Sequence, residues 1–181
     1  MSTGQAPALP IPTLETDRFT LRPLVREDAP AFFPTLSSPE HCRYLTRAPF
    51  ASLEELESWL CDPEWNGRSW SAVERATGEI AARVVAVPGE EGSVEIGYIT
   101  AAHRHGEGIA SECAKRLIAY LFGEERHHRI TAGTDPRNAA SNALLARLGF
   151  RREAHMVESI KTHIGWCDEY FWAMLRREWQ G

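Results

Sequence analysis

The residues best placed to do chemistry fall in one short run, His103-Arg104-His105-Gly106-Glu107-Gly108-Ile109-Ala110-Ser111-Glu112. Two glycines at the start of a helix let the backbone approach a ligand closely, with several N–H groups pointing outward. The helix dipole adds partial positive charge, so the place suits a phosphate. A glycine turn that merely enters a helix is the plainer alternative. A P-loop would need Gly-Lys-Ser/Thr, and no lysine stands there. A dinucleotide fingerprint needs a third glycine where Ser111 stands, and it follows the first strand of a doubly wound sheet, whereas here a meander comes first.

The elements that must hold this turn can be read on either side of it. Before it, Ser93 to Ile99 alternates as a strand, with Val94, Ile96 and Tyr98 on one face and Ser93, Glu95 and Gly97 on the other. After it, Gly108 to about Phe122 is helical, because Ile109, Cys113, Leu117 and Leu121 recur every four residues, and Gly123 is placed to stop it. Arg129 to Thr134 reads as a buried strand and Asn138 to Leu148 as a helix ended by Gly149. This crossover should set two parallel strands side by side. Two late strands follow, Arg151 to Ser159 and Asp168 to Leu175.

Upstream, Phe19 to Leu24 suits a first, edge-type strand, and Asp28 opens a helix to about Leu36. Ser52-Leu53-Glu54-Glu55 has the form of a capping box ahead of Leu56, Trp59 and Leu60. Ser69 to Val73 and Glu79 to Val87 form a hairpin about Arg75 to Gly78.

A chain of 181 residues that is 43% hydrophobic and 25% charged fits one soluble domain, expected over residues 14–181 behind a loose tail, 1–13. The net charge of −5 argues against nucleic acid as a partner. No signal peptide or membrane-length apolar stretch is found, and Cys42, Cys61, Cys113 and Cys167 are too scattered for a metal or redox pair. A cytoplasmic protein without metal or membrane partner is expected; His103 and His105 lack further ligands at zinc spacing.

His105 to Ala110 resembles the pyrophosphate motif of the GNAT superfamily, Gln/Arg-x-x-Gly-x-Gly/Ala. Asn138-Ala139-Ala140-Ser141 and Ala146 to Arg151 resemble the next part of that core. Leu14 to Leu24 and Trp166 to Trp179 are similar to the branch that acetylates ribosomal-protein amino termini, the RimJ/RimL type. The resemblance implies a mixed α/β fold: a mostly antiparallel sheet of about seven strands, a parallel, splayed central pair, and flanking helices. It also implies acetyl-CoA as co-substrate and a primary amine as acceptor, foremost a protein or peptide N-terminus. A small amine such as a polyamine, amino acid or aminoglycoside is the second reading, a non-catalytic CoA-binding module the third. A homodimer is left open. Two residues depart from the motif: His105 replaces Gln or Arg, and Glu107 stands where lysine is common. Glu107 would either face the phosphates or point to solvent, with Arg104 available to compensate.

On this resemblance the coenzyme would contact Arg104, His105, Gly106, Glu107, Gly108, Ile109, Ala110 and Asn138, with backbone N–H groups of Ile99 and Ala101 serving thioester and pantetheine. Attack requires a neutral amine, and an amine of pKa about 8 to 10 needs a base near neutral pH. Glu95 is the candidate base, with a solvated strand carboxylate as its plain alternative. Ser141 is the candidate to protonate the departing thiolate, unless it only bonds the helix backbone. Asn138 caps that helix. Tyr44, Phe50, Trp59, Trp65 and Trp70 cluster where an acceptor wall would lie, and Arg47 and Arg68 read as surface charges.

Overall fold

Alternation in the first half and four-residue periodicity in the second build one open sheet with helices on both faces. The computed structural model describes residues 11–181; the expected loose segment lies outside the described residues up to residue 10. Its end is not loose: Ile11 packs against the core and Pro12 O accepts a hydrogen bond from Trp70 Nε1 at 2.7 Å.

The chain runs β1 (Leu14–Glu15), β2 (Phe19–Pro23), α1 (Ala29–Leu36), α2 (Leu53–Leu60), β3 (Arg68–Glu74), β4 (Ile80–Pro88), β5 (Ser93–Thr100), α3 (Ile109–Gly123), β6 (Arg129–Thr134), α4 (Ala139–Arg147), β7 (Arg151–Thr162) and β8 (Gly165–Leu175). The strand order is β1-β2-β3-β4-β5-β6-β8-β7, eight strands among the described residues rather than about seven. The extra strand is the two-residue β1, which pairs Leu14 with Leu21 and so removes β2 from the edge. All neighbours are antiparallel except β5 and β6. That parallel pair is short: Ser93, Val94 and Glu95 lie opposite Arg129, Ile130 and Thr131, and beyond Glu95 the strands part.

The core divides accordingly. Val94, Ile96 and Ile130 are buried with Ile109, Cys113, Leu117 and Leu121 of α3 and Leu145 of α4. On the other face Phe32, Leu36, Leu56 and Leu60 of α1 and α2 form a second cluster, against which Ile80 and Ile99 pack. The sheet residues of the two clusters alternate because successive side chains of a strand point to opposite faces.

Two local expectations are corrected and one is refined. Ser52 Oγ accepts from the Glu55 N–H at 3.2 Å, but the Glu55 carboxylate accepts from Ala51 N, one residue before the box would place it. Asp28 stands at the N-cap position of α1 and so opens the helix as expected, while its carboxylate accepts from Arg22 (2.7 and 2.6 Å), Ser71 Oγ (2.6 Å) and Val25 N (3.0 Å) rather than from the helix. Arg68 is no surface charge: it is buried and doubly bonded to the Glu125 carboxylate, with Nη2 at 2.7 Å.

Candidate active site

The glycine turn adopts the backbone that only glycine takes without cost. Gly106 has φ +85° and Gly108, which precedes the first residue of α3, has φ +76°. No heavy atom lies within 4 Å of where a Gly106 Cβ would stand, and at Gly108 only Arg18 Nη2 comes that close. The requirement is therefore conformational, worth about 1–2 kcal/mol per residue with a Cβ. The turn is braced from outside. Arg18 Nη2 donates to Glu107 O at 3.0 Å, and Glu112 accepts from Thr16 Oγ1 (2.6 Å), Arg18 N (2.9 Å) and Arg18 Nε (2.7 Å).

Glu107 does not face the ligand space. Arg104 holds it at 2.7 Å, and Arg104 is also paired with Glu74 (2.9 Å) and Glu79 (3.1 Å). The guanidinium keeps the Glu107 carboxyl below the usual range. Thus the charge of Arg104 is already shared among three carboxylates. His105 Nε2 lies 3.1 Å from Thr100 O, and its ring meets His41 edge to face. His103 bonds Glu79 at 2.7 Å. Among the described residues no group of three or more His, Cys, Asp or Glu could hold a metal ion.

Two cavities meet where β5 and β6 part. The first, about 420 Å³, runs from Gly106, Gly108 and Ala110 to Asn138, Ser141 and Arg147. The second, about 320 Å³, opens on the α1–α2 side and is bounded by Glu95, Gly97, Arg83, Trp59 and Gly133. Tyr98, Ile99, Asn138 and Ser141 border both. The first cavity offers a phosphate the amides of the turn, the N-terminus of α3, and Arg147, which has no ion-pair partner among the described residues.

The amides along the open edge are shifted by one residue from the expected pair. Ala101 is buried outside both cavities, and its N–H donates to Ala81 O at 2.9 Å. Amide directions alternate along a strand, and Ile99 lies opposite Arg83, so its N–H also points into β4. The amides of Tyr98 and Thr100 face the gap instead.

Side chains of opposite character converge on that gap from the two faces of β5. Glu95 enters from the α1–α2 side. Solvent reaches it, yet the surrounding walls withdraw enough water to raise its carboxyl above the usual range. Glu169 of β8 lies over Gly133, where any side chain would collide with its carboxylate. Burial, and secondarily the Glu95 charge, raise the Glu169 carboxyl as well. From the other face Tyr98 Oη bonds Ser141 Oγ at 2.7 Å. Asn138 Oδ1 accepts from Ser141 N at 3.1 Å, the expected cap, and so fixes the turn that carries Ser141.

Sequence reasoning passed over Tyr98, Arg83, Glu169 and Arg147. Alternation placed Tyr98 correctly on the face opposite Glu95, but only the splay shows that both faces of β5 reach one gap. Glu169 and Arg147 carry no local signal.

A family model described as acetyltransferase (GNAT) domain matches residues 18–151. A Bacillus licheniformis protein described as an uncharacterized N-acetyltransferase, p20, is 30% identical over 93% of this chain and 99% of its own. The Escherichia coli [ribosomal protein uS5]-alanine N-acetyltransferase is 31% identical over 46% of this chain and 43% of its own. A solved acetyltransferase (GNAT family) from Bacillus anthracis superposes with a TM-score of 0.85 at 24% identity, over 92% of this chain and 100% of its own, which is likeness of fold.

Proposed function

Because the chain belongs to the acetyltransferase (GNAT) family and is an acetyl-CoA-dependent N-acetyltransferase, we propose that it acetylates the α-amino group of a protein or peptide by direct attack in a ternary complex. The observation that carries this reading is the meeting of the two cavities at Tyr98, Ile99 and Ser141, between the glycine turn and Glu95. The first cavity takes the coenzyme and the second takes the amine.

In this mechanism acetyl-CoA is the acetyl donor. Glu95 accepts a proton from the acceptor ammonium, directly or through one water, and its raised pKa brings it nearer the amine's own. The Tyr98 and Thr100 amides, aimed into the gap, stabilise the oxyanion that forms as the amine adds to the thioester carbonyl. Ser141, bonded to Tyr98 Oη, gives a proton to the departing thiolate, the pair recovers one from the nitrogen of the tetrahedral adduct as it collapses to the amide, and Glu95 passes the ammonium proton to solvent. Burial keeps the Tyr98 phenol protonated, its pKa raised above the ordinary value. The amides of His105 to Ala110 hold the pyrophosphate, and Asn138 reaches pantetheine.

The E. coli relative's ribosomal-protein substrate supports a protein N-terminus as acceptor. The second cavity's volume of about 320 Å³ favours, as a second reading, a free acceptor of amino-acid scale. All four cysteines remain free thiols, which fits the cytoplasm as the setting. Thiol release from acetyl-CoA against a panel of N-terminal peptides, amino acids, polyamines and aminoglycosides tests the proposal. Turnover confined to compounds without an α-amine would refute it.

A further inference from the structure

Arg83 is a buried cation without an anionic partner among the described residues. It is 6% exposed, yet Nε and Nη2 both donate to one neutral oxygen, Ser69 Oγ, at 3.1 and 2.8 Å. A guanidinium has five N–H donors, so most of its capacity is unused. Among the described residues no side-chain nitrogen or oxygen is both fully buried and without a partner. Nη1, which has no hydrogen-bond partner among the described residues, is therefore reached from the cavity that Arg83 lines.

The surroundings are built to hold this charge in place. The guanidinium lies 4.8 Å from the Trp59 ring centroid and 5.4 Å from that of Trp65. Trp65 in turn rests on Gly67, where a side chain would strike its ring. Aromatic faces stabilise a cation but leave its hydrogen bonds unmade, and a buried charge lacking a counter-charge is costly. Burial lowers the Arg83 pKa to about 10, so it stays charged at neutral pH.

Arg83 also has a defined relation to the base. Arg83 lies opposite Ile99, and Val87 opposite Glu95, so Arg83 and Glu95 project from the same face of the sheet. Their backbones are about 13 Å apart along the strands. Both line the second cavity, which is thus acidic at the gap and basic at its far end.

We infer that this far end is a subsite for a carboxylate, and that the acceptor is an amine carrying a carboxylate several bonds from the reacting nitrogen. The inference rests on the reading of the second cavity as the acceptor's. An acidic side chain near a peptide N-terminus and the carboxylate of a free ω-amino acid supply the same chemistry.

The experiment has a binding arm and a turnover arm. Calorimetry on the CoA-loaded protein compares N-acetyl ω-amino acids of two to six carbons with N-acetyl alkylamines of the same length. It also compares N-acetyl tripeptide amides carrying Glu or Gln at the second or third position. The unacetylated compounds are then assayed for acetyl transfer. In at least one series the acids should bind about tenfold tighter than their neutral counterparts, the scale of a charge-assisted hydrogen bond. The series that does so identifies the source of the carboxylate. Arg83→Met should abolish the preference with melting temperature unchanged or raised, and Arg83→Lys should keep part of it. Equal binding of acids and neutral compounds, or equal loss of both in Arg83→Met, overturns the inference. Acetylation of amines with no acid preference would overturn it while sparing the acceptor reading. Acid binding through Arg83 with no amine acetylated would sustain the subsite and refute that reading.

Discussion

Tyr98 Oη lies 2.7 Å from Ser141 Oγ, a hydrogen bond that joins β5 to the first turn of α4 across the gap where β5 and β6 separate. In the proposed mechanism the two hydroxyls act as one proton-donating unit beside the coenzyme sulfur. Tyr98→Phe and Ser141→Ala should each lower kcat by about 10²-fold or more, the range of general acid catalysis. The double variant should lose little beyond the worse single one, since groups acting in series are not additive. Multiplying losses in steady-state kinetics would show that the two act separately.

Gly108 carries the glycine turn at φ +76°. Gly108→Val should weaken CoA binding at least tenfold by calorimetry while circular dichroism stays that of the folded protein. The strained backbone turns its amides away from the pyrophosphate, at a cost of about 1–2 kcal/mol. Unchanged affinity would remove the turn from the coenzyme site.

Arg147 and Glu107 should behave oppositely to their distances from the motif in sequence. Arg147 borders the first cavity and Glu107 does not. Arg147→Ala should raise the Kd for CoA several-fold, and the effect should shrink in high salt. Glu107→Gln should leave it within about threefold, because the carboxylate is turned to Arg104. A large gain in affinity for Glu107→Gln would mean that the carboxylate opposes the phosphates after all.

Asp28 sets an acid limit on stability. Burial alone would raise its carboxyl, but hydrogen bonds from Arg22, Ser71 and the Val25 amide outweigh it and lower the pKa. A carboxyl depressed in the folded state adds stability that is fully present above the unfolded value of about 3.9 and is lost as pH falls through the folded one. Asp28→Asn should cost about 1–3 kcal/mol at pH 7, since it weakens the hydrogen bonds from Ser71 and the Val25 amide and leaves a partly exposed Arg22 unpaired, and should flatten the fall in stability below pH 4. Urea unfolding at several pH values checks both.

Much of the frame is legible from periodicity alone. The crossover through α3, the meander of β3 to β5 and the Asn138 cap follow from spacings of two and four residues and from one side chain placed before a helix. What was missed depends on distances between elements. The free amides are those of Tyr98 and Thr100 because pairing with β4 consumes those of Ile99 and Ala101. Alternation says only that neighbouring amides point opposite ways; which set is left over depends on the register with β4. Arg83 looks like any strand arginine until Trp59, Trp65 and Ser69 are folded over it. Glu169 acquires meaning from Gly133, a residue on another strand.

Glu95 decides whether the gap is a catalytic site in the way described. Burial raises its carboxyl, so the basic form is lost as pH falls through a value above the usual carboxylate range. Wild-type kcat/KM should follow that titration. The measurement is the pH profile of acetyl transfer for wild type and Glu95→Gln with one α-amine acceptor. The variant should lose about 10²–10⁴-fold in kcat at pH 7, keep CoA affinity within about threefold, and recover as pH approaches the amine's own pKa of about 8. Wild-type kcat in Glu95→Gln at pH 7, with an unchanged profile, would show that Glu95 is structural and that the amine sheds its proton unaided.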